Sequence, residues 1–370
     1  MDFTFNEEQE TVGKVARQLF EHRATPEHLT ELEAGDVRFD ASLWTELASA
    51  DLLGIALPES VGGTGGGFLE LAVLLSEVGW SVSPVPVYPT LVLGADTIAR
   101  HGDSDVQGRY LPGVVDGATI LTAALAEPEN SDPTAPLTTA RADGDTWLLN
   151  GTKALVPAAQ LATAIVVSAR ADDGPGLFVV ETGSDAVTIT PARTTNGEPY
   201  ADVTLTDAVG RRLTEHGGAD IVNALYTRAL VGLCAIQIGV VERALKLAAS
   251  YTSEREQFGR PIGSFQAVQQ RLADAFIDVE AIRWTTWHAA WLIAEGRPAE
   301  REARIAKFWA AEAGARVAAS AQQVHGGMGI DVTYPLSRYF LWAKQNELAL
   351  GSASQQLARL GAKYAEGSDA

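Results

Sequence analysis

Over residues 6–112 apolar positions recur at intervals of three and four, as in Val12, Val15, Ala16, Leu19 and Phe20 and again in Leu69, Val73, Leu74 and Val78. That spacing puts them on one stripe of a helix, so this part of the chain is predicted to be helical. Two of these helices are joined by Pro58-Glu-Ser-Val-Gly62-Gly63-Thr-Gly65-Gly66-Gly67. A phosphate-binding loop needs a preceding strand and a Lys-Ser/Thr after its glycines, whereas Phe68-Leu69-Glu70 follows here, so a plain helix connection is expected.

Around Ala118 the pattern changes to short β-rich runs bounded by turn residues: Thr146-Trp-Leu-Leu, Ala164-Ile-Val-Val-Ser, Gly176-Leu-Phe-Val-Val, Val187-Thr-Ile-Thr and Ala201-Asp-Val-Thr-Leu. Asp143-Gly144 and Asn150-Gly151 are dipeptides that tight hairpins favour, and both are predicted as hairpin turns. None of these strands is followed by a crossover helix, which points to an antiparallel sheet and away from a parallel nucleotide-binding one.

After Gly217-Gly218 the helical period returns, with Val268, Leu272, Ala275, Phe276, Val279 and Ile282 as one stripe and an Ala-rich segment from Ala306 to Val317 as another helix. Trp284, Trp287 and Trp291 fall on one side of the first of these, as interface or core residues. The predicted fold is α+β: an N-terminal helical domain over 1–116, a middle antiparallel β domain over 117–210 and a C-terminal four-helix bundle over 219–365.

Composition narrows the functions that remain open. The chain has 370 residues, 46% of them hydrophobic, and a formal charge of -19. That charge repels phosphate backbones and anionic membranes, so no nucleic-acid partner is expected, and an anionic ligand would need a local Arg or Lys cluster. The single cysteine, Cys234, lies in an apolar run and reads as a core thiol. An acidic N-terminus without an apolar stretch, and no run of about 18 apolar residues, lead to the expectation of a cytoplasmic protein without a membrane span. The six histidines are scattered and there is no CxxC or HxxxH pair, so no metal site is expected.

Chemistry enters with three segments: Arg255-Glu-Gln257-Phe258-Gly259 followed by Phe265-Gln266, then Gln323-Val-His325-Gly326-Gly327-Met-Gly329-Ile330 with Tyr334-Pro335, and finally Leu350-Gly351-Ser352. The first two, at this spacing, resemble the acyl-CoA dehydrogenase family of flavoproteins, and the likeness extends to Ala126-Glu127-Pro128 and Asn150-Gly151-Thr152-Lys153. The resemblance implies FAD as cofactor, an acyl-CoA thioester as substrate and electron-transfer flavoprotein or a similar acceptor. Arg255, Gln257, Phe258, Gln266, Gln323, Gly326 and Gly327 are the implied cofactor contacts, lent across a subunit interface. An Arg fork suits a pyrophosphate, and glycines let backbone amides come close.

The chain departs from the family at three places. Leu155-Val156-Pro157 stands where the family has an aromatic covering the flavin and a hydroxyl donor, and proline donates nothing. The Gly-rich segment after Glu127-Pro128 is shortened to Glu129-Asn130-Ser131-Asp132. Leu350-Gly351-Ser352 replaces the family's Glu-Gly-Thr, so the base that takes the α-proton is missing. The alternative position of that base, on the first helix of the bundle, falls at Ala229, and residues 221–241 contain no acid before Glu242. Glu347 is the remaining nearby carboxylate.

What the chain would lend is kept and what it would use itself is changed. That division resembles the base-lacking subunits of actinobacterial α2β2 acyl-CoA dehydrogenases of steroid side-chain degradation, and implies a non-catalytic partner in a heterotetramer. Two alternatives stay open: a self-sufficient homotetramer with Glu347 as relocated base, and a non-redox member of the fold that binds an acyl thioester.

Overall fold

The structure, a computed structural model, describes residues 4–130, 132–214 and 216–365, so Ser131 of the shortened acidic segment lies outside the described residues. In chain order the helices are α1 (Glu7–Arg23), α2 (Pro26–Glu33), α3 (Ala41–Ser49), α4 (Phe68–Ser81), a π-helical stretch Tyr88–Ala95, α5 (Asp96–His101) and α6 (Ser104–Val115). Strands β1 (Leu121–Ala124), β2 (Thr139–Asp143), β3 (Thr146–Pro157), β4 (Ala164–Ala171), β5 (Gly174–Glu181), β6 (Val187–Ala192) and β7 (Tyr200–Arg212) follow. The remainder is α7 (Ala219–Glu254), the short strands β8 (Glu256–Gln257) and β9 (Arg260–Pro261), α8 (Gln266–Ala294), α9 (Glu300–His325), α10 (Leu336–Leu348) and α11 (Ala353–Ala365).

These elements fold into two compact units. The first takes in Met1–Leu19, Thr30–Leu71 and Pro84–Ala229, and the second Phe20–Leu29, Ala72–Ser83 and Leu230–Ala370. In the first unit α1 opens on a reciprocal cap, with Gln9 N donating to Asn6 Oδ1 at 2.8 Å and Asn6 N to Gln9 Oε1 at 3.0 Å. The glycine-rich connection is packed, not open: a Cβ on Gly63 would lie 2.1 Å from Leu57 O, and Gly67 N donates to Glu70 Oε2 at 2.7 Å. It is the helix connection expected.

All five predicted strands are present. The sheet is nevertheless not purely antiparallel: β4 runs parallel to β1 and, at one residue pair, to β2. The hairpin β2–β3 supplies the crossover that a helix would otherwise make. Pairings run from β2 through β3, β7 and β5 to β4 and back to β2, closing a ring, with β1 and β6 attached outside it. Inside lie Leu149, Val156, Ile165, Val167, Phe178, Val203 and Leu205. Asp143-Gly144 is the β2–β3 turn, as predicted, with Gly144 at φ 61°. Asn150-Gly151 is not a turn: it is a bulge within β3, where the register against β7 shifts between Leu149 and Gly151. Gly151 has φ 149° and a Cβ there would meet Thr138 Oγ1 at 2.7 Å. Conformational freedom and close approach both require glycine, and these are the features a hairpin dipeptide shares with a bulge.

In the second unit α8 and α9 are full bundle helices, while the last bundle position is filled by two shorter ones, α10 and α11, broken at Ala349–Ser352. Of the predicted α8 stripe, Ala275, Val279 and Ile282 are buried, but Phe276 is exposed because the inward face of α8 is narrow there. Helix α7 is long and apolar enough to cross a membrane by length and composition, yet 89% of its apolar window is buried within the fold. It is a core helix. Cys234, on α7, is fully buried, and burial pushes its thiol up to about 12.

Candidate functional site

The hairpin between α7 and α8 turns on two residues. Glu256 pairs with Pro261 and Gln257 with Arg260, leaving Phe258 and Gly259 at the tip with φ 57° and 77°. Positive φ at a phenylalanine costs about 1–2 kcal/mol. Phe258 is also 93% exposed, held edge-on to Phe265 at 6.2 Å, while the Arg260 guanidinium covers the Phe265 ring at 4.3 Å. An almost fully exposed apolar ring on a strained turn, whose described aromatic contact is the edge of Phe265, reads as a presented group.

The glycine segment is tied to the same place by aromatic stacking. At the end of α9 the His325 ring stacks on Tyr251 at 4.3 Å and lies 5.2 Å from the ring of Tyr334. Its Nδ1 faces Ala321 O at 2.7 Å; since a carbonyl only accepts, that nitrogen carries the proton and Nε2 is free to accept from Tyr334 Oη at 3.3 Å. Burial lowers the His325 pKa against the raising effect of the Ala321 carbonyl. The stack joins the end of α9 to Tyr251 of α7 and to Tyr334. Beyond it Gly326 adopts φ 58°, ψ −130°, and a Cβ on Gly326 or Gly327 would meet nothing within 4 Å. Arg255, Gln257, Gln266 and Gln323 are all exposed, and their side chains make no hydrogen bond among the described residues. Four unspent polar side chains and an open glycine backbone in one neighbourhood suit a large polar anion such as FAD.

The turn that carries Leu350 is built with equal care but no acid. Leu350 has φ 54° and Gly351 φ 105°, and Gln356 Nε2 donates to Leu350 O at 2.9 Å. One turn back, fully buried Lys307 of α9 donates to Asn346 O at 2.8 Å and Glu347 O at 3.1 Å, where α10 leaves its last carbonyls without helical partners. Burial lowers the Lys307 pKa to about 8. Asn346 Nδ2 donates to Gln237 Oε1 at 2.9 Å and Gln237 Nε2 to Ala310 O at 3.2 Å, completing a buried network across α7, α9 and α10. The Glu347 carboxylate is occupied by Lys344 of its own helix. Glu242 is held by Arg283 at 2.9 and 2.6 Å, and Ala229, buried, offers only its carbonyl, to Tyr88 Oη at 3.1 Å. Trp284 stands half exposed with Nε1 on Glu280 Oε2 at 2.9 Å.

In the first unit the two sheet motifs meet. Lys153 Nζ lies 2.8 Å from Glu127 Oε1 and 3.0 Å from Ser168 Oγ, and both charged side chains are essentially inaccessible. Glu127 further accepts from Leu137 N at 2.7 Å, Thr138 N at 2.8 Å and Thr138 Oγ1 at 2.7 Å. Burial opposes its charge, but these donors outweigh it and hold the carboxyl down at about 2. Two residues past Lys153, Leu155 has φ 50°, is 50% exposed and donates its N–H to Asp202 Oδ1 at 2.9 Å. Here β3 slips register between Lys153 and Val156. The bulge carries an aliphatic, half-exposed side chain.

Sequence reading did not find the Lys307 network, nor that Glu127 and Lys153 are partners. A lysine inside an Ala-rich helical run was the available signal for the first, and two motifs each bearing one charge were the signal for the second. Among the described residues no group of three His, Cys, Asp or Glu side chains is placed to hold a metal ion.

Comparison with known proteins agrees along the whole chain. Residues 6–118 match the N-terminal domain, 122–208 the middle domain and 216–364 the C-terminal domain of acyl-CoA dehydrogenases. This chain belongs to the acyl-CoA dehydrogenase family. It is 40% identical to acyl-CoA dehydrogenase FadE27 of Mycobacterium tuberculosis over 99% of both chains. Among solved structures it is similar to a chain of a variant of the Tcur3481-Tcur3483 steroid ACAD, with TM-score 0.94 and 45% identity over 98% of this chain and 99% of that one. It is also similar to a chain of the ChsE4-ChsE5 complex from Mycobacterium tuberculosis, with TM-score 0.94 and 41% identity over 99% of both.

Proposed function

We propose that this chain is the non-catalytic partner subunit of a heterotetrameric, FAD-dependent acyl-CoA dehydrogenase. The observation that carries the reading is the Leu350 turn: it is fixed by a buried network, yet presents no group that can take a proton, and neither Glu347 nor Glu242 is free to replace it. FAD, when bound, supplies the hydride acceptor for the acyl β-carbon; the α-proton needs a carboxylate, which here must come from the other subunit.

This chain's part is binding. Arg255 offers its fork to the pyrophosphate, Phe258 packs on the adenosine half, and Gln257, Gln266 and Gln323 supply amide contacts beside the open backbone of Gly326 and Gly327. Leu155 and Pro157 weaken the chain's own flavin seat. The similar chains come from two-component assemblies, one of them described as a steroid ACAD, which supports an acyl-CoA with a bulky polycyclic acyl group as substrate class. A three-part division at 1–116, 117–210 and 219–365, electron-transfer flavoprotein or a similar acceptor, and a cytoplasmic setting belong to the same reading.

Flavin content tests it. The chain expressed alone should purify with far less than one FAD per chain, and co-expression with a base-bearing homologue should give a yellow complex that an acyl-CoA bleaches. A lone chain with stoichiometric FAD that reduces a dye acceptor with an acyl-CoA would refute the proposal.

A further inference from the structure

Arg228 of α7 forms an ion pair that is largely buried on both sides. Its Nε lies 3.1 Å from Asp96 Oδ2, with the arginine side chain 15% exposed and the aspartate 6%. The other oxygen of Asp96 already accepts from Arg100 Nε at 2.8 Å. Two guanidiniums thus share one carboxylate, a local net positive charge in a chain whose formal charge is -19, with Arg228 largely buried and Arg100 43% exposed. Arg283 shows the opposite arrangement, one guanidinium against the two carboxylates of Glu242 and Glu280. The outer edge of Arg228 is unused as well. Nη1 reaches only Ala224 O, at 3.5 Å, and Nη2 makes no hydrogen bond among the described residues. Burial and then Arg228 lower the pKa of neighbouring His101, against the raising effect of Asp96.

We propose that the Nη edge of Arg228 is a recognition point for a carboxylate monoanion, with Asp96 as the ion-pair partner on its Nε side. A planar fork takes a planar carboxylate through two parallel hydrogen bonds, and one negative charge matches the local excess. A phosphate dianion would exceed it and would face Asp96. The carboxylate can belong to a small free acid or to the far end of an acyl chain. The second source rests on the acyl-CoA reading above; the first does not.

Carboxyl-labelled acetate, titrated with the full chain at pH 7 and followed by its carbon-13 line width, tests the site without any variant. Saturable broadening that succinate competes away, and that chloride or sulfate at matched ionic strength does not, supports the proposal. No saturation up to about 50 mM overturns it, as does equal competition by chloride. Arg228→Lys keeps the charge and loses the fork, so it should weaken acetate at least about tenfold; unchanged affinity in that variant also overturns the proposal. Succinyl-CoA displacing acetate at lower concentration than succinate, while butyryl-CoA does not, assigns the carboxylate to an acyl chain. Displacement by succinate alone assigns it to a free acid. Loss of acetate binding in a complex that still oxidises acyl-CoA would sink this site and leave the dehydrogenase reading standing.

Discussion

Two lysines are sealed inside this protein, and they are held in opposite ways. Lys153, in the sheet, sits 2.8 Å from a carboxylate that itself gathers three donors from Leu137 and Thr138. Lys307, in the bundle, has two backbone carbonyls and no carboxylate within ion-pair distance among the described residues. The first is half of a satisfied pair that locks two family motifs together. The second is a lone charge offset by the dipole end of α10, and burial brings its proton within reach of ordinary buffers. Burial lowers the Lys153 pKa to about 8 as well, against the raising effect of Glu127, so the two lysines differ in their partners, a carboxylate in the sheet and backbone carbonyls in the bundle.

The largest effect expected from breaking this contrast is at Glu127. Glu127→Ala leaves buried Lys153 without its carboxylate, with only Ser168 Oγ as partner among the described residues, and should cost about 3–5 kcal/mol in urea unfolding. The carboxyl is held at about 2 against an ordinary value of 4.5, so the folded state binds fewer protons between those limits. Its contribution is therefore complete above pH 4.5 and lost as pH falls through 2. Wild type and Glu127→Gln should then differ least at the acid end of a pH series of denaturation midpoints.

Lys307→Met should go the other way. Its folded pKa, about 8, lies below the ordinary 10.5, so in that interval the unfolded chain holds more protons and stability rises with pH. Below pH 8 the buried charge is a full penalty. The methionine variant should match or exceed wild type there by up to about 3 kcal/mol, with the gap closing toward pH 10.5. Equal destabilisation at every pH would show that Lys307 acts through packing alone. Leu350→Gly should relieve the left-handed backbone and raise stability by up to about 1 kcal/mol in the same unfolding measurement. Phe258→Ala should change stability by less than about 0.5 kcal/mol while reducing flavin retention in the assembled complex; full retention would remove Phe258 from the binding role.

Much of this was legible in the residues alone. The helical stripes of α1 and α4, the five strands and the two segments that carry the family resemblance each depend on local spacing, which a sequence carries openly. What was hidden depends on pairing over distance. Nothing near Asn150 says whether Gly151 turns or bulges, because that is decided by Thr138 pressing on it and by the register against β7. Helical period predicts a buried Phe276 because it cannot tell how wide the covered face is. Leu350 could be read as a missing base, but not that it sits in a strained turn braced by Lys307 and Gln356.

The closed ring of strands bears on the life of an unassembled subunit. An open sheet exposes edges that pair with any passing strand, but in the seven-stranded sheet each ring strand has a neighbour on both sides, and among its described strands β1 and β6 keep a free flank. On the partner-subunit proposal, a chain that waits for a different gene product benefits from having few adhesive edges, because two subunits made at unequal rates can then still assemble when the second arrives.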